Sequence, residues 1–490
     1  MKKNIFSKAT TMVLLICILF SLVACSDDGE YITKGTNLNQ EDLNSSDRVT
    51  IYTYVDPDNK DLHYDQDTKF YYPLLDMVHM YNNYCSLNKM GEYSVKVVSF
   101  SSRDRMIQQM STEIMAGGGP DIIILDNELP VSKLINQGAF ADMNILLKND
   151  KSERKINLDD YDNTLMDTGV FKGKRYMMPM LIEPDIYISN SALFKDYDLA
   201  TNTRLTYSNI NNKLKKFANN SNNLSLTDSY SSSKEIILHY INDNINKEDY
   251  TTDFETKKFK STTESLKKLV KKSIADTKTT KDLSKSECLL SKGTTDKETG
   301  IYTPYNFSLS HMSGYSSTQT TFTGGITEKE NQSRATISCG FMINNNSNKK
   351  EKAFEFIKYS LGERMQRFIT FDSTYGDTYN ITVNKDALNN SLSSFAYGDI
   401  YNITVNKDAL NNSLSSFAYG GTDFDEIKEQ DSFMDKYASY INSINTYEIR
   451  DGYYNDKVIG SLVDDYLQDK ISIDNFIANL NSKTKIYLYE

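Results

Sequence analysis

The 490-residue chain contains no tryptophan, so any aromatic platform it offers must come from its 34 tyrosines and 22 phenylalanines. Histidine is scarce, and His63, His79, His239 and His311 are the whole set. None sits at an HExxH or other metal-ligand spacing, and none accompanies a Gly-x-Ser-x-Gly turn. Zinc hydrolases and hydrolases with a nucleophile elbow are thereby disfavoured. Five cysteines are scattered without a CxxC pair. Cys17 and Cys25 lie at the start; Cys85, Cys288 and Cys339 are an odd remainder at distant positions. Neither a disulfide framework nor a zinc site follows, and buried free thiols are expected. Positive charge is also short. The net charge is −11, although Lys2, Lys3 and Lys8 stand near the start without a compensating acid. So acidic a body gives no electrostatic reason to bind nucleic acid or anionic lipid. The apolar run from Met12 to Ala24 is shorter than the ~20 residues a spanning helix needs.

That run and its lysines read as a secretory signal over residues 1–24. Its end, Leu22-Val23-Ala24-Cys25, resembles a bacterial lipobox, which implies that Cys25 carries acyl chains of the palmitate kind and becomes the mature N-terminus. At ~0.8 kcal/mol per buried methylene, several chains would anchor the protein stably. Residues 25–47 are polar and rich in Asp, Asn and Ser, which fits a flexible tether.

From Arg48 onward the pattern is that of α/β units. Val49 to Val55 alternates as a strand, Tyr71 to Tyr84 has helix length, and Tyr93 to Val98 is a second strand. Met106, Ile107, Met110 and Ile114 share one face of a helix. Gly117-Gly118-Gly119-Pro120 then precedes the apolar strand Asp121 to Leu125. A phosphate loop places its glycines before a helix and adds a lysine; here they follow one, so Gly117 is a helix C-cap. Asp126, past the strand's carboxyl end, sits either where ligands bind open α/β sheets or as a turn residue. Phe171 to Leu199 opens with a hairpin signal at Lys172-Gly173-Lys174. Pro179 argues for an edge strand or a strand end, and Asp185 to Asn190 alternates as a strand. This segment is either a crossing between two lobes or a plain hairpin. Residues 204–300 are helical and polar in pattern, and Tyr302 to Thr323 suits a cleft-facing loop or a surface one. Tyr379 to Gly398 recurs unchanged at Tyr401 to Gly420, a tandem duplication within 379–420. Two copies do not make a solenoid.

The segments TEIMAGGGPDIIILD, LINQGAFADMNILL, GKRYMMPM with YISNSALF, MINNNSNKKEKAFEFIKYSLGERMQ and the C-terminal VIGSLVDDYLQDK resemble the extracellular solute-binding lipoproteins of ABC importers, of the sugar-type family 1 branch. The resemblance implies an α/β fold of two lobes, a type II periplasmic-binding-protein or Venus-flytrap architecture with hinge crossings. Residues 48–187 and 340–420 would form the first lobe, and 188–339 with 421–490 the second. It further implies a monomeric receptor without cofactor, metal or catalytic residues. Such a receptor is lipid-anchored on the extracytoplasmic face of the cell membrane and passes a sugar or oligosaccharide to ABC membrane subunits.

A polyol needs acceptors and donors for its hydroxyls and an aromatic ring for its C–H face. The ligand candidates are Tyr52, Tyr54, Asp126, Glu183, Asp185, Tyr187, Tyr315 and Tyr454, each tyrosine being equally readable as core or surface. Glu183 and Asp185 lie ~6.5–7 Å apart by strand rise, the only spacing hinting at a glycosidase pair. Acids beside a sugar also simply accept hydroxyl hydrogen bonds, and no enzyme is expected. The alternative is a surface lipoprotein of the same fold acting as a sensor partner or adhesin.

Overall fold

The computed structural model describes residues 30–31, 47–54, 71–126, 128–152, 154–200, 203–219, 225–227, 230–246, 249–276, 288–290, 293–295, 302–304, 320–367, 381–382, 440 and 443–489. The signal and tether up to residue 29, Cys25, His63, Tyr315, His311 and nearly all of the duplication lie outside them. The fold is the two-lobed type II solute-binding architecture, with a separate hydrophobic core in each lobe.

The elements that position the site are, in chain order, β1 (Val49–Thr53), α1 (Tyr71–Leu87), β2 (Val95–Ser99), α2 (Arg103–Met115), β3 (Ile122–Ile124), α3 (Val131–Asn136), β4 (Met178–Pro184) and β5 (Ile186–Asn190). They continue with α4 (Tyr230–Asp243), α5 (Lys257–Asp276), β6 (Thr320–Gly324), β7 (Arg334–Ile343), α6 (Lys350–Leu361), β8 (Thr446–Ile449), α7 (Gly460–Leu467) and α8 (Ile473–Tyr489).

The first lobe is built on an eight-stranded sheet in the order Glu30–Tyr31, β2, β1, β3, β7, β4, Ile381–Thr382, with β8 beside β7. β1 runs parallel to β2 and to β3, as the alternating sequence suggests, while β7 runs antiparallel to β3 and β4. Period-2 alternation on β1 and β2 buries every second side chain, and β3 is buried throughout. α2 buries the Met106, Ile107, Met110 and Ile114 face, and its helix ends where Gly117 takes φ +86°. That left-handed conformation favours glycine. Lys172 and Gly173 both have positive φ in the hairpin Val170–Phe171 to Lys174–Arg175, a type I′ turn.

Pro179 marks a strand end and not an edge strand, being the second residue of β4. β4 is internal, and Pro179 stands opposite Gly340 where the β4–β7 register slips. A bulge tolerates a residue that has no N–H. The first core also reaches beyond the expected boundaries: the division at 340 falls inside β7, and Tyr440, Ile444 and Ile449 pack in this core although 421–490 was expected in the second lobe. β8 pairs with Arg334 to Ile337 of β7, which brings this late segment into the first sheet.

The second lobe has no comparable sheet among the described residues. Small pairs such as β5 with β6 flank helices α4, α5, α7 and α8. Its core is rich in rings, with Tyr240 stacked on Phe259 at 5.2 Å and Tyr466 on Phe476 at 4.4 Å. Cys85 and Cys339 are buried free thiols and Cys288 is half-buried. Burial pushes the Cys85 thiol up to about 11.

Candidate ligand-binding cleft

Three crossings join the lobes among the described residues. The chain leaves the first core at Ile186 and enters the second at Tyr187; it returns between Ile326 and Ala335; it leaves again between Ile449 and Tyr454. The first two are laced together: the Asp185 N–H donates to the Arg334 carbonyl at 3.0 Å and the Gly325 N–H to the Asp185 carbonyl at 2.9 Å. A Cβ on Gly325 would stand 1.7 Å from Asp185 Oδ2, so only glycine fits this approach. Phe171 to Leu199 is thus the end of the first lobe and its first crossing, not a hairpin inside one domain.

Beside these crossings, the turn after β3 meets the second lobe through Glu128 and Lys457. Asp126 follows β3 and is buried; Arg103, at the start of α2, reaches it with Nη2 at 2.9 Å and Nε at 3.2 Å. The same carboxylate accepts the Glu128 N–H at 2.8 Å, so Asp126 also shapes the turn. Glu128 in turn meets Lys457 of the second lobe at 3.1 Å. Further along, Asp451 binds both lobes. It accepts the Ser132 N–H at 3.4 Å, the Tyr454 N–H at 3.0 Å and the Tyr487 hydroxyl at 2.8 Å. Asn136 closes this side by donating to the Leu488 carbonyl at 2.7 Å. The cavity between Ile135 and Phe171 on one side and Ile245, Tyr454 and Tyr487 on the other measures about 20 Å³. That holds a water molecule, not a sugar.

Arg450, on the third crossing, stands among carboxylates and meets Glu235 at 3.4 Å. Burial alone would lower its pKa, but Glu235, Asp456, Glu183 and Glu448 together raise it. Lys457 is likewise raised, chiefly by its hydrogen bond to Glu128. The rim between the lobes therefore alternates acids with fixed cations.

The candidates from sequence that lie among the described residues fall into three groups. Asp126, Glu183 and Asp185 are at the rim or the crossings: Glu183 is half-buried opposite Thr336, and Asp185 is buried. Tyr52 and Tyr54 are half-buried at the end of β1. The Tyr52 ring lies 4.9 Å from Phe100, and its hydroxyl donates to Glu113 Oε2 at 2.7 Å. Tyr187 and Tyr454 belong to the second core, 1% and 3% exposed, and the Tyr454 hydroxyl is 2.5 Å from Thr484 Oγ1. Tyr187 packs inside its own lobe, whereas Tyr454 also lines the small cavity between the lobes. Tyr315 and the lipid-attachment candidate Cys25 lie outside the described residues. Sequence reading missed Arg103, Glu128, Arg450, Asp451 and Lys457. The usable signal was positional: charged residues directly following a strand, as in Arg450-Asp451 after β8.

The family described as bacterial extracellular solute-binding protein matches residues 84–396. A search of curated proteins finds no match. Among solved structures, the chain is similar to an ABC substrate-binding protein from Listeria monocytogenes in complex with cycloalternan, at 15% identity and a TM-score of 0.53, covering 90% of this chain and 98% of that one. It is also similar to a cyclic alpha-maltosyl-1,6-maltose binding protein from Arthrobacter globiformis, at 15% identity and TM-score 0.51, with 90% and 98% covered. A family 1 extracellular solute-binding protein from Alicyclobacillus acidocaldarius gives 13% identity and TM-score 0.52 over 90% and 98%. At such identities the likeness speaks to the fold.

Proposed function

Because the chain belongs to the bacterial extracellular solute-binding proteins, we propose that it is a receptor that captures a sugar or oligosaccharide between its lobes and delivers it to the membrane subunits of an ABC importer. In this reading Cys25 carries the lipid anchor, and the protein acts as a monomer on the outer face of the cell membrane, without cofactor or catalysis.

The observation that carries the reading is the charged rim where the lobes meet, with Asp126, Glu128 and Glu183 on the first lobe beside Arg103, Arg450 and Lys457. Carboxylates accept from hydroxyls and guanidinium groups donate to them, and a polyol presents both needs in close alternation. Tyr52 and Tyr54, half-buried against the first core, are the rings offered for a sugar's C–H face. One similar structure is in complex with cycloalternan and another is a cyclic alpha-maltosyl-1,6-maltose binding protein, which supports the solute class. Contacts to both lobes exist only in the closed state, so binding shifts the population towards it and the importer reads closure.

The test is thermal stability of the whole chain against linear and cyclic α-glucans, monosaccharides, peptides and polyamines. A cognate glycan at about 100 times its Kd adds ~2.7 kcal/mol. Stabilisation by peptides or polyamines alone would overturn the sugar reading. Silence across the panel would favour the sensor-partner or adhesin role.

A further inference from the structure

Glu235, His239 and Asp243 recur every four residues on α4 and so share one face. The rest of that helix, with Ile236, Ile237, Tyr240 and Ile241, fills the second core. The charged face instead meets the crossing strands of the first lobe. His239 Nδ1 lies 2.8 Å from Glu448 Oε1 on β8, and its Nε2 lies 3.5 Å from Glu235 Oε1. Asp243 Oδ2 lies 2.5 Å from Arg334 Nη2 at the start of β7 and accepts the Tyr207 hydroxyl at 2.9 Å. Arg334 Nη1 closes the circuit to Glu448 Oε2 at 3.6 Å, and Arg450 joins through Glu235. Thr336 Oγ1 stands 3.5 Å from Glu448 Oε1. Asp185, on the first crossing, adds its field to Arg334, and Glu183 adds its own to Arg450. The side chains of Arg334 and His239 are only 3% and 8% exposed.

We propose that this lattice is a proton-dependent latch at the hinge, in which imidazolium His239 ties α4 of the second lobe to β8 of the first and its deprotonation lets the lobes part. A neutral imidazole has a single N–H and can donate to only one of the two carboxylates that flank it; its other nitrogen then turns a lone pair towards the second. Arg334 and Arg450 already answer to Asp243, Asp185, Glu183 and Asp456 as well as to Glu235 and Glu448, so the His239 proton offsets acid charge that the two arginines do not cover. Removing that proton leaves an uncompensated buried charge. Burial by itself would lower the His239 pKa, yet Glu448 and then Glu235 outweigh it against the opposition of Arg334 and raise it to about 9. The latch is therefore engaged at neutral pH and released in alkali. His239 is a positioning residue, with no claim on the solute.

The experiment measures the inter-lobe distance by electron–electron resonance on the whole chain, with labels on the exposed Glu351 of α6 and Lys268 of α5, while NMR follows the His239 ring. The distance is expected to widen between pH 7 and pH 10 with a midpoint near that of the His239 ring, close to 9. His239→Gln should be insensitive to pH and as open at pH 7 as the wild type at pH 10. Glu448→Gln, which keeps the shape of the site, should move the midpoint down by at least about one pH unit. An unchanged distance while the ring titrates would overturn the latch. So would a His239→Gln protein as closed as the wild type at pH 7, or an unmoved midpoint in Glu448→Gln.

Discussion

The two lobes solve the burial problem with different materials. The first stacks isoleucine, valine and methionine on a continuous sheet, whose backbone groups satisfy one another along the strand ladders. The second relies on rings packed between helices, and many of those rings are tyrosines whose hydroxyls need partners: Tyr207 uses Asp243, Tyr230 uses Asp464, Tyr454 uses Thr484 and Tyr487 uses Asp451. A buried hydroxyl without a partner is costly. An aromatic helical lobe therefore carries polar threads out of its core, and several of them end at the boundary with the other lobe. The buried tyrosines of the first lobe instead settle on backbone, Tyr161 and Tyr440 donating to the Leu361 and Asp185 carbonyls, and the sheet meets the boundary with charges placed on strand ends.

Truncating one ring in each core is the strongest way to break this comparison. Phe356→Ala in the first lobe and Phe476→Ala in the second remove fully buried side chains, each expected to cost about 3–5 kcal/mol. If the lobes are as closely joined as the crossings imply, denaturant unfolding of either variant remains a single shifted transition. Two separated transitions would show that the cores stand independently.

The next test sharpens the boundary itself. His239 has its pKa raised from 6.5 to about 9 in the folded protein, so it binds its proton more tightly folded than unfolded. Its contribution, on the order of 3 kcal/mol, is complete below pH 6.5 and is lost as pH rises through 9. Chemical denaturation across that window should show stability falling with pH, and His239→Gln should remove the slope. At the rim, Arg103→Ala leaves the Asp126 carboxylate buried without its guanidinium. About 2–3 kcal/mol of destabilisation is expected by thermal melting, along with weakened solute binding. The smallest effect belongs to the solvated surface of the second lobe. Lys216→Ala breaks a pair whose side chains are 53% and 78% exposed, and a change under about 0.5 kcal/mol is expected.

The same contrast explains what could be read without coordinates. Strands β1 and β2 and helix α2 show their periodicity openly, because one face of each meets a core and the other does not. Gly117 was legible because a glycine after an apolar helical face has few other uses. The second lobe hid its plan, since a tyrosine at 187 or 454 looks the same whether it lines a cleft or fills a core. Pro179 was legible as a strand end, but its bulge was not, because a bulge is a property of two strands and its partner Gly340 lies far away in sequence. The hinge lattice was invisible for a related reason. His239 and Glu448 are each unremarkable alone, and nothing local in either neighbourhood announces the other.

Neither core is made from one stretch of chain. The first requires β7, α6 and β8 as well as the strands before them, and the second requires Tyr454 to Leu488 to complete what Tyr187 begins. A nascent chain emerging residue by residue cannot seal either lobe until its last segments are made. The interleaving of its segments thus postpones commitment to a compact form until the whole chain is available.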